Sequence, residues 1–445
     1  MDEKIKQSLR YSLWDGIFAS VMNAINENFM TPYALAMGAT ASLIGVLVST
    51  PNLFASLLQM NAALLVERFG SRKAVINSSV LGQALMWLPI IAIPYMINSH
   101  HVVWLILLYT LFISAGTLSG PPWSSLMADH VPETMRGKVF GWRNRLFGIV
   151  YVSSMFLAGL VLYGFNIWLK NSPDKANGSL RYAGFTFIFA VAFISRLISW
   201  RFLTKMYEPK LVIKPEHTFT FLDFLKRIRR SNFGRFVIFV AAMNFSVYVG
   251  APFLAVYMLR DLKFDYLTYT IVTMTATLTT YFVMNHWGTH ADHVGNRRVL
   301  RLTSFFIPLV PVLWLFSHHI AYLIFVQLFA GFFWAGFNLS AVNFMYDAVT
   351  PEKRTRCISY FNAINGAALF LGAMVGGFLV TIVPPIFGFT ILTVLLVSGI
   401  LRLFAAGLCS FVKEVRDVKK ISNRELFYSI IGIRPILSAS SAKGL

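Results

Sequence analysis

Long apolar stretches alternate with short polar breaks along almost the whole chain. An apolar stretch of about 20 residues is typical of a helix that crosses a bilayer. The pattern predicts roughly twelve such spans, numbered 1 to 12 in chain order. Their cores are 12–37, 42–66, 74–97, 102–128, 139–166, 183–204, 235–259, 266–287, 299–317, 320–346, 357–382 and 388–412. The predicted fold class is therefore an all-α polytopic membrane protein.

The composition excludes most other classes. The 445 residues are 56% hydrophobic and only 13% charged, whereas a soluble domain carries about 25% charged residues. The only cysteines, Cys357 and Cys409, cannot build a disulfide framework. No cofactor or metal site is predicted.

The excess of basic residues indicates topology. There are 39 Lys+Arg against 19 Asp+Glu, a net charge of +20. A nucleic-acid-binding protein clusters such charge on one folded face, whereas here it is spread over the breaks between spans, and no nucleic-acid partner is predicted. Only a few basic residues lie in the odd-numbered breaks: Lys170, Lys175, Arg181, Arg260 and Lys263. Because basic loops stay in the cytoplasm, both termini are predicted to be cytosolic.

Short motifs of the first half recur in the second half. Asp129, Arg136 and Asn144 recur as Asp347, Arg354 and Asn362, Met22-Asn23 as Met243-Asn244, and Arg196-Leu197 as Arg402-Leu403. Matches in register predict two pseudo-symmetric six-helix halves. The predicted domains are an N-terminal bundle (1–204), a basic amphipathic cytosolic linker (205–234), a C-terminal bundle (235–412) and a basic cytosolic tail (413–445). The linker is interpreted as an interfacial helix on anionic headgroups, with a regulatory surface as the alternative.

The break after span 8 carries the most specific motif. It reads Gly288-Thr-His-Ala-Asp292-His-Val-Gly295-Asn-Arg297-Arg298, and the break after span 2 holds a weaker copy, Glu67-Arg-Phe-Gly70-Ser-Arg72-Lys73. Together with the spans and the repeat, this resembles the major facilitator superfamily (MFS), a little-characterised prokaryotic type. The resemblance covers the full chain.

The resemblance implies a cytosolic gate built from charged loops. Asp292 would face span 5 and Glu67 would face span 11, and Asp129 with Arg136 and Asp347 with Arg354 would complete the network. The implied gate and loop residues are Glu67, Gly70, Arg72, Lys73, Asp129, Arg136, Gly288, Asp292, Gly295, Arg297, Arg298, Asp347 and Arg354. The alternative is that these are solvated loop charges without a gating role.

The resemblance also implies that spans 1, 4, 7 and 10 line a central cavity. Each carries polar side chains that are costly in lipid and are expected to face a cavity or one another. The candidate substrate and coupling residues are Asn23, Asn26, Glu27, Tyr109, Asn244, Tyr248, Gln327, Trp334 and Asn338. Glu27 is the sharpest candidate, because a carboxylate at that depth can carry a proton or meet a cationic substrate. The alternative is a structural Glu bonded to neighbouring amides.

Two basic residues within spans receive a different interpretation. Arg196 and Arg402 lie in spans 6 and 12 and are expected to extend to the lipid headgroups, without a role in transport. The alternative is a functional role within the membrane.

The sequence is compatible with three functions. The first is a secondary active transporter, with alternating access to a small organic solute and with proton coupling through Glu27 as an open question. The second is a non-transporting receptor or scaffold that keeps the fold, and the third an intramembrane enzyme, which the sequence disfavours. The amides and aromatic groups suit a sugar-like or zwitterionic solute, and the carboxylate equally suits a cation. A monomer in a prokaryotic inner membrane is expected.

Overall fold

A computed structural model describes residues 3–97, 99–131, 133–171, 180–209 and 220–416. Every predicted span corresponds to a helix or to a helix broken by a short turn, numbered α1 to α12. The N-terminal half contains α1, Glu3–Ala36; α2, Ala41–Gln59 and Ala62–Phe69; α3, Arg72–Leu85 and Trp87–Met96; α4, His101–Leu118 and Gly120–His130; α5, Glu133–Asn171; and α6, Ala183–Leu203. The C-terminal half contains α7, Asn232–Gly250, Phe253–Val256 and Tyr257–Asp261; α8, Tyr266–Val294; α9, Asn296–Phe306 and Leu309–Leu313; α10, Ile320–Asp347; α11, Pro351–Ile382; and α12, Thr390–Leu408 and Cys409–Phe411.

Nine of these helices, within the described residues, are long and apolar enough to cross a membrane. The other three are α1, α8 and α9, and each is more polar for a visible reason. α1 carries Asp15 and Glu27, α8 is rich in threonine, and α9 begins with arginines. The threonine hydroxyls of α8 donate to backbone carbonyls one turn earlier, as Thr270 does to Tyr266 at 2.7 Å, so their polarity is satisfied within the helix.

The two halves meet mainly along two helix pairs. α2 packs against α11, and α5 packs against α8. Small residues allow the close approach: the Ser56 hydroxyl lies against Gly366, and the Ser42 hydroxyl donates to the Gly377 carbonyl at 3.2 Å. Because lipid is as apolar as the helices, such close backbone packing is a main source of helix association in a membrane.

A glycine in the second half offers a test of this packing. A Cβ at Gly372 of α11 would lie 2.3 Å from the Phe245 carbonyl oxygen of α7, and backbone cannot move aside as a side-chain end can. We expect Gly372→Ala to destabilise the protein by about 1–3 kcal/mol. The matched control is Gly164→Ala in α5, where nothing lies within 4 Å. Thermal unfolding in detergent measures both, and equal melting temperatures would contradict the packing described.

The linker contains a short helix, Phe221–Arg227. Thr220 and Asp223 form a reciprocal cap at its start, and the Thr220 hydroxyl, which donates to the carboxylate, holds the pKa of Asp223 below its ordinary value. Phe224 is buried against Phe233 and Tyr360, with ring centroids 6.0 and 5.6 Å away. One part of the apolar face of this helix therefore packs on α7 and α11, whereas the sequence interpretation placed the whole face on lipid headgroups. Leu222, on the same helix, is exposed.

Candidate functional site

A cavity of about 670 Å³ lies inside the bundle. Most of its wall comes from the N-terminal half, on α1, α2, α3, α4 and α6, and Tyr248 of α7 contributes from the other half. Its lining includes Asn23, Asn26, Glu27, Thr31, Asn52, Gln83, Tyr109, Thr117, Ser119, Arg196 and Tyr248. A volume of this order, with a few polar groups fixed on helices, suits a small organic molecule.

Glu27 is exposed to this cavity even though it lies deep within the bundle. The Tyr151 hydroxyl of α5 donates to Glu27 Oε2 at 2.8 Å, and Asn28 Nδ2 donates to the Tyr151 oxygen at 2.9 Å. The carbonyl of Asn28 accepts from the Tyr269 hydroxyl of α8 at 3.0 Å. The Glu27 carboxylate is therefore hydrogen-bonded to α5 in its own half. The next residue, Asn28, is hydrogen-bonded through its backbone carbonyl to α8 in the other half.

The structure brings together five of the nine predicted cavity residues: Asn23, Asn26, Glu27, Tyr109 and Tyr248 all line the cavity. The other four are absent from its lining. Asn244 donates to Asn365 of α11 at 2.8 Å, Gln327 is buried, Trp334 packs edge-on against Phe337, and Asn338 is exposed. Helical spacing placed these four on one side of α7 or α10, but it could not indicate which neighbour that side meets.

The interpretation of Arg196 and Arg402 as headgroup-seeking residues is wrong. Their exposed fractions are only 8% and 4%, so both guanidinium groups lie inside the protein. Arg196 Nε donates to Gln83 Oε1 at 2.8 Å and its Nη1 to the Ser199 hydroxyl at 3.1 Å. Arg402 Nε donates to the Ser398 hydroxyl at 3.1 Å. Both guanidinium groups therefore donate hydrogen bonds to polar side chains inside the bundle, although the sequence interpretation placed them at the membrane surface.

Asp15 of α1 is a buried carboxylate that the sequence pattern does not single out. Its Oδ1 accepts from the Ser199 hydroxyl at 2.7 Å, and Ser199 thus connects Asp15 to Arg196. Asp15 also interacts electrostatically with Arg143 of α5, whose Nη2 donates to the Ser12 carbonyl at 3.1 Å. Its position near the polar end of the first predicted span makes Asp15 inconspicuous in the sequence.

Two of the predicted gate residues of the first half, Arg72 and Asp129, take part in an ion-pair network at the side of the bundle where α1 begins and α12 ends, called the terminal side. Arg72 is 3% exposed, and its Nη1 lies 2.7 Å from Asp129 Oδ2. Glu208, which follows α6, accepts from the backbone N–H of Arg72 at 2.7 Å and from the Ser71 hydroxyl at 2.6 Å. The anion thus lies at the N-terminus of α3, where unpaired N–H groups favour it. The Lys73 N–H reaches the same carboxylate at 3.3 Å.

The second half repeats the arrangement with different partners. Asp347 lies 2.7 Å from Arg416, which follows α12, and accepts from Asn296 Nδ2 at 2.8 Å. Arg416 also pairs with Asp292 at 3.0 Å. These two carboxylates, Asp347 first, raise the pKa of the Arg416 guanidinium above its ordinary value. Glu414 accepts from the Arg297 N–H at 2.8 Å, at the start of α9.

The structure places Asp292 against Arg416 in the segment after α12. The side chains at the start of α5, where the resemblance implies a contact with Asp292, lie outside the described part of the chain. The remaining loop residues are placed as follows: Glu67 is exposed; Gly70 and Gly295 have φ of 63° and 88°; Gly288 lies within α8; Arg298 lies in the first turn of α9; and Arg354 donates to the Tyr346 carbonyl. The two positive φ values explain the glycines of the motif, since a side chain would be strained there. The side chain of Arg136 lies outside the described part of the chain.

Glu208 and Glu414 could have been found from the sequence. They are separated by the same interval as Arg196 and Arg402, so the repeat extends beyond spans 6 and 12 into the segments that follow. Tyr151 carried no such signal, because one tyrosine among the aromatic residues of span 5 is unremarkable.

The comparisons with known proteins decide the family. The sequence model of the Major Facilitator Superfamily matches residues 16–307 and 236–443. The chain belongs to the Major Facilitator Superfamily. No curated protein matches it.

Solved structures of other MFS proteins share the fold. A variant of the nucleoside transporter NupG superposes with a TM-score of 0.69 at 15% identity, over 91% of this chain and 100% of that one. A D-xylose-proton symporter superposes with a TM-score of 0.67 at 14% identity, over 93% of this chain and 98% of that one. The third structure is a bacterial homologue of the human lysosomal transporter Spinster in an inward-facing and occupied conformation. It superposes with a TM-score of 0.62 at 13% identity, over 92% of this chain and 96% of that one. At such identities the likeness shows the fold alone, and family membership makes this MFS protein a membrane transporter rather than an enzyme.

Proposed function

We propose that this MFS protein is a secondary active transporter that moves a small organic solute through the central cavity by alternating access, coupled to protons at Glu27. The observation that carries the proposal is the position of Glu27, which opens into a cavity of about 670 Å³ and is hydrogen-bonded to α5. A charged carboxylate at this depth is costly unless it is neutralised or paired, so it exchanges a proton or a cationic partner when the cavity opens.

The linkage between the halves supports this role. Tyr151 bonds Glu27, Asn28 bonds Tyr151, and the Asn28 carbonyl accepts from Tyr269 in the other half. Relative rotation of the halves breaks or strains the Tyr269 bond and alters the surroundings of the adjacent carboxylate. Loss and recovery of its proton thereby follow the opening and closing of the cavity. The separate charge networks on the terminal side, one in each half, keep each half rigid as it moves.

We further propose that both termini are cytosolic and that the protein functions as a monomer in a prokaryotic inner membrane. The distribution of lysine and arginine supports the orientation, since basic loops are retained in the cytoplasm. The cavity lies within one chain, so a single copy supplies the whole pathway.

Flux through reconstituted protein tests the proposed transport. A thermal-shift screen of small solutes at two pH values identifies those that stabilise the protein. We expect a stabilising solute to enter proteoliposomes faster than protein-free liposomes and to accumulate when a pH gradient is imposed. Stabilisation without any flux would contradict the proposal and would favour a receptor or scaffold that keeps the fold.

A further inference from the structure

The cavity has a positively charged wall in addition to the carboxylate of Glu27. Arg196 and Gln83 both line it, on α6 and α3 respectively, and the Arg196 Nε donates to Gln83 Oε1 at 2.8 Å. The Gln83 amide lies so close to α4 that a Cβ at Gly116 would be 2.0 Å from its Nε2. An arginine and an amide, both held by neighbouring helices, form a donor-rich wall rather than a pair of free side chains.

The charge of Arg196 is not met by a direct carboxylate pair within the described residues. Its Nη1 donates to the Ser199 hydroxyl at 3.1 Å, and this hydroxyl donates to Asp15 at 2.7 Å. Asp15 interacts electrostatically with Arg196 and, to a smaller extent, with Arg143. The two described hydrogen bonds of the Arg196 guanidinium use only part of its N–H donors. The group therefore keeps capacity to donate toward the cavity, where a planar guanidinium suits a carboxylate.

The other half contains an internal control for this argument. Arg402 is the repeat partner of Arg196 and is equally buried, but it lies outside the lining of the cavity and its Nε donates to Ser398 of its own helix. An arginine at this position of the fold can thus be held in place without lining this cavity. Only the arginine of the first half combines burial with a position on the cavity wall.

We infer that Arg196, oriented by Gln83, is a carboxylate-binding subsite, and that the solute is a zwitterion whose cationic group meets Glu27. This inference rests on the proposed function and names its substrate class. Both Glu27 and Arg196 line one cavity, with opposite charges and on different helices.

The spacing of the two groups constrains the solute. α1 and α6 run antiparallel and contact each other at Asp15 and Ser199. At the helical rise, Glu27 and Arg196 are then offset along the bundle by roughly 13 Å at their backbones. Long side chains close part of this distance, so the subsite pair selects a solute with its charged groups several ångströms apart over one with adjacent groups.

Ligand-dependent thermal stability of the full-length protein in detergent at neutral pH tests the inference. The probes are glycine, β-alanine, γ-aminobutyrate and δ-aminovalerate, with valerate and n-pentylamine as analogues that each carry one charge. For the wild type we expect stabilisation to increase with chain length in the zwitterion series and to exceed that of either analogue.

Variants assign the effect to Arg196. We expect Arg196→Gln to reduce the affinity for δ-aminovalerate on the order of tenfold or more, to leave n-pentylamine unaffected, and to be partly rescued in Arg196→Lys. The matched control Arg402→Gln removes a buried arginine outside the cavity and is expected to keep wild-type affinity. Gln83→Met, which preserves side-chain length, supplies a second test in case Arg196→Gln unfolds.

Three outcomes would overturn the inference. They are equal stabilisation by n-pentylamine and δ-aminovalerate, no response to any zwitterion of the series, and equal losses in Arg196→Gln and Arg402→Gln. None of them bears on whether the protein transports, because the flux measurements with screened solutes decide that separately.

Discussion

Glu27→Gln is expected to abolish solute accumulation driven by a pH gradient while leaving the protein folded. Glutamine keeps the size and can still accept from Tyr151, which donates to Glu27 Oε2 at 2.8 Å, but it cannot bind or release a proton. A gradient of one pH unit supplies about 1.4 kcal/mol per proton, which corresponds to roughly tenfold accumulation. Uptake into proteoliposomes with an imposed gradient measures this, and we expect no accumulation in the variant.

The control for this experiment is another glutamate on the same chain. Glu67 is exposed in the loop after α2, so Glu67→Gln is expected to accumulate solute like the wild type. Exchange of labelled for unlabelled solute distinguishes two roles of Glu27. If Glu27 only carries the proton, Glu27→Gln should still exchange solute; if Glu27 binds a cationic solute, the variant should lose exchange as well. Wild-type accumulation by Glu27→Gln would exclude it as the coupling residue.

The prediction is correct at the level of helices because apolar stretches mark most of them, nine of the described helices being long and apolar enough to cross a membrane. Each predicted span matches a described helix or broken helix, since a long apolar stretch in a bilayer has to satisfy its backbone internally. The breaks within α3, α7 and α9 were less visible, because a turn inside a continuous apolar stretch does not change its composition.

The site was predictable only where a polar residue is conspicuous against an apolar span. Glu27 is conspicuous in this way, and the structure places it in the lining of one cavity with Asn23, Asn26, Tyr109 and Tyr248. Arg196 was misread and Asp15 was missed, because whether a charge near a helix end reaches lipid or the bundle interior depends on neighbouring helices. Ser199, which connects the two, has no distinguishing mark in the sequence. Periodicity gives the side of a helix but not its neighbour.

The two charge networks show how a repeat can preserve a role while changing the residues. In the first half a buried arginine, Arg72, meets Asp129 and Glu208. In the second half the arginine comes from the segment after α12, as Arg416, and meets Asp347 and Asp292. What is common to both halves is a glutamate that follows the sixth helix and caps the third.

Removing this cap is the second test with a large expected effect. Glu208→Gln leaves the N–H groups of Arg72 and Lys73 without an anion and removes the charge 3.7 Å from Arg72 Nε. Because that guanidinium is buried, we expect a loss on the order of 2 kcal/mol. The equivalent change in the other half, Glu414→Gln, acts on the Arg297 N–H and is expected to add a separate loss.

Thermal unfolding of the single and double variants, with Glu67→Gln as the exposed-carboxylate control, measures these losses. Hydrogen exchange at the first turn of α3 locates them, since the N–H groups of Arg72 and Lys73 meet only a neutral, weaker acceptor in Glu208→Gln and should exchange faster there, but remain protected in Glu414→Gln. If Glu208→Gln and Glu67→Gln had the same melting temperature, the Glu208 carboxylate would be a solvated loop charge. Among the described residues, the Arg72–Asp129 pair would then be the ion pair that stabilises this network.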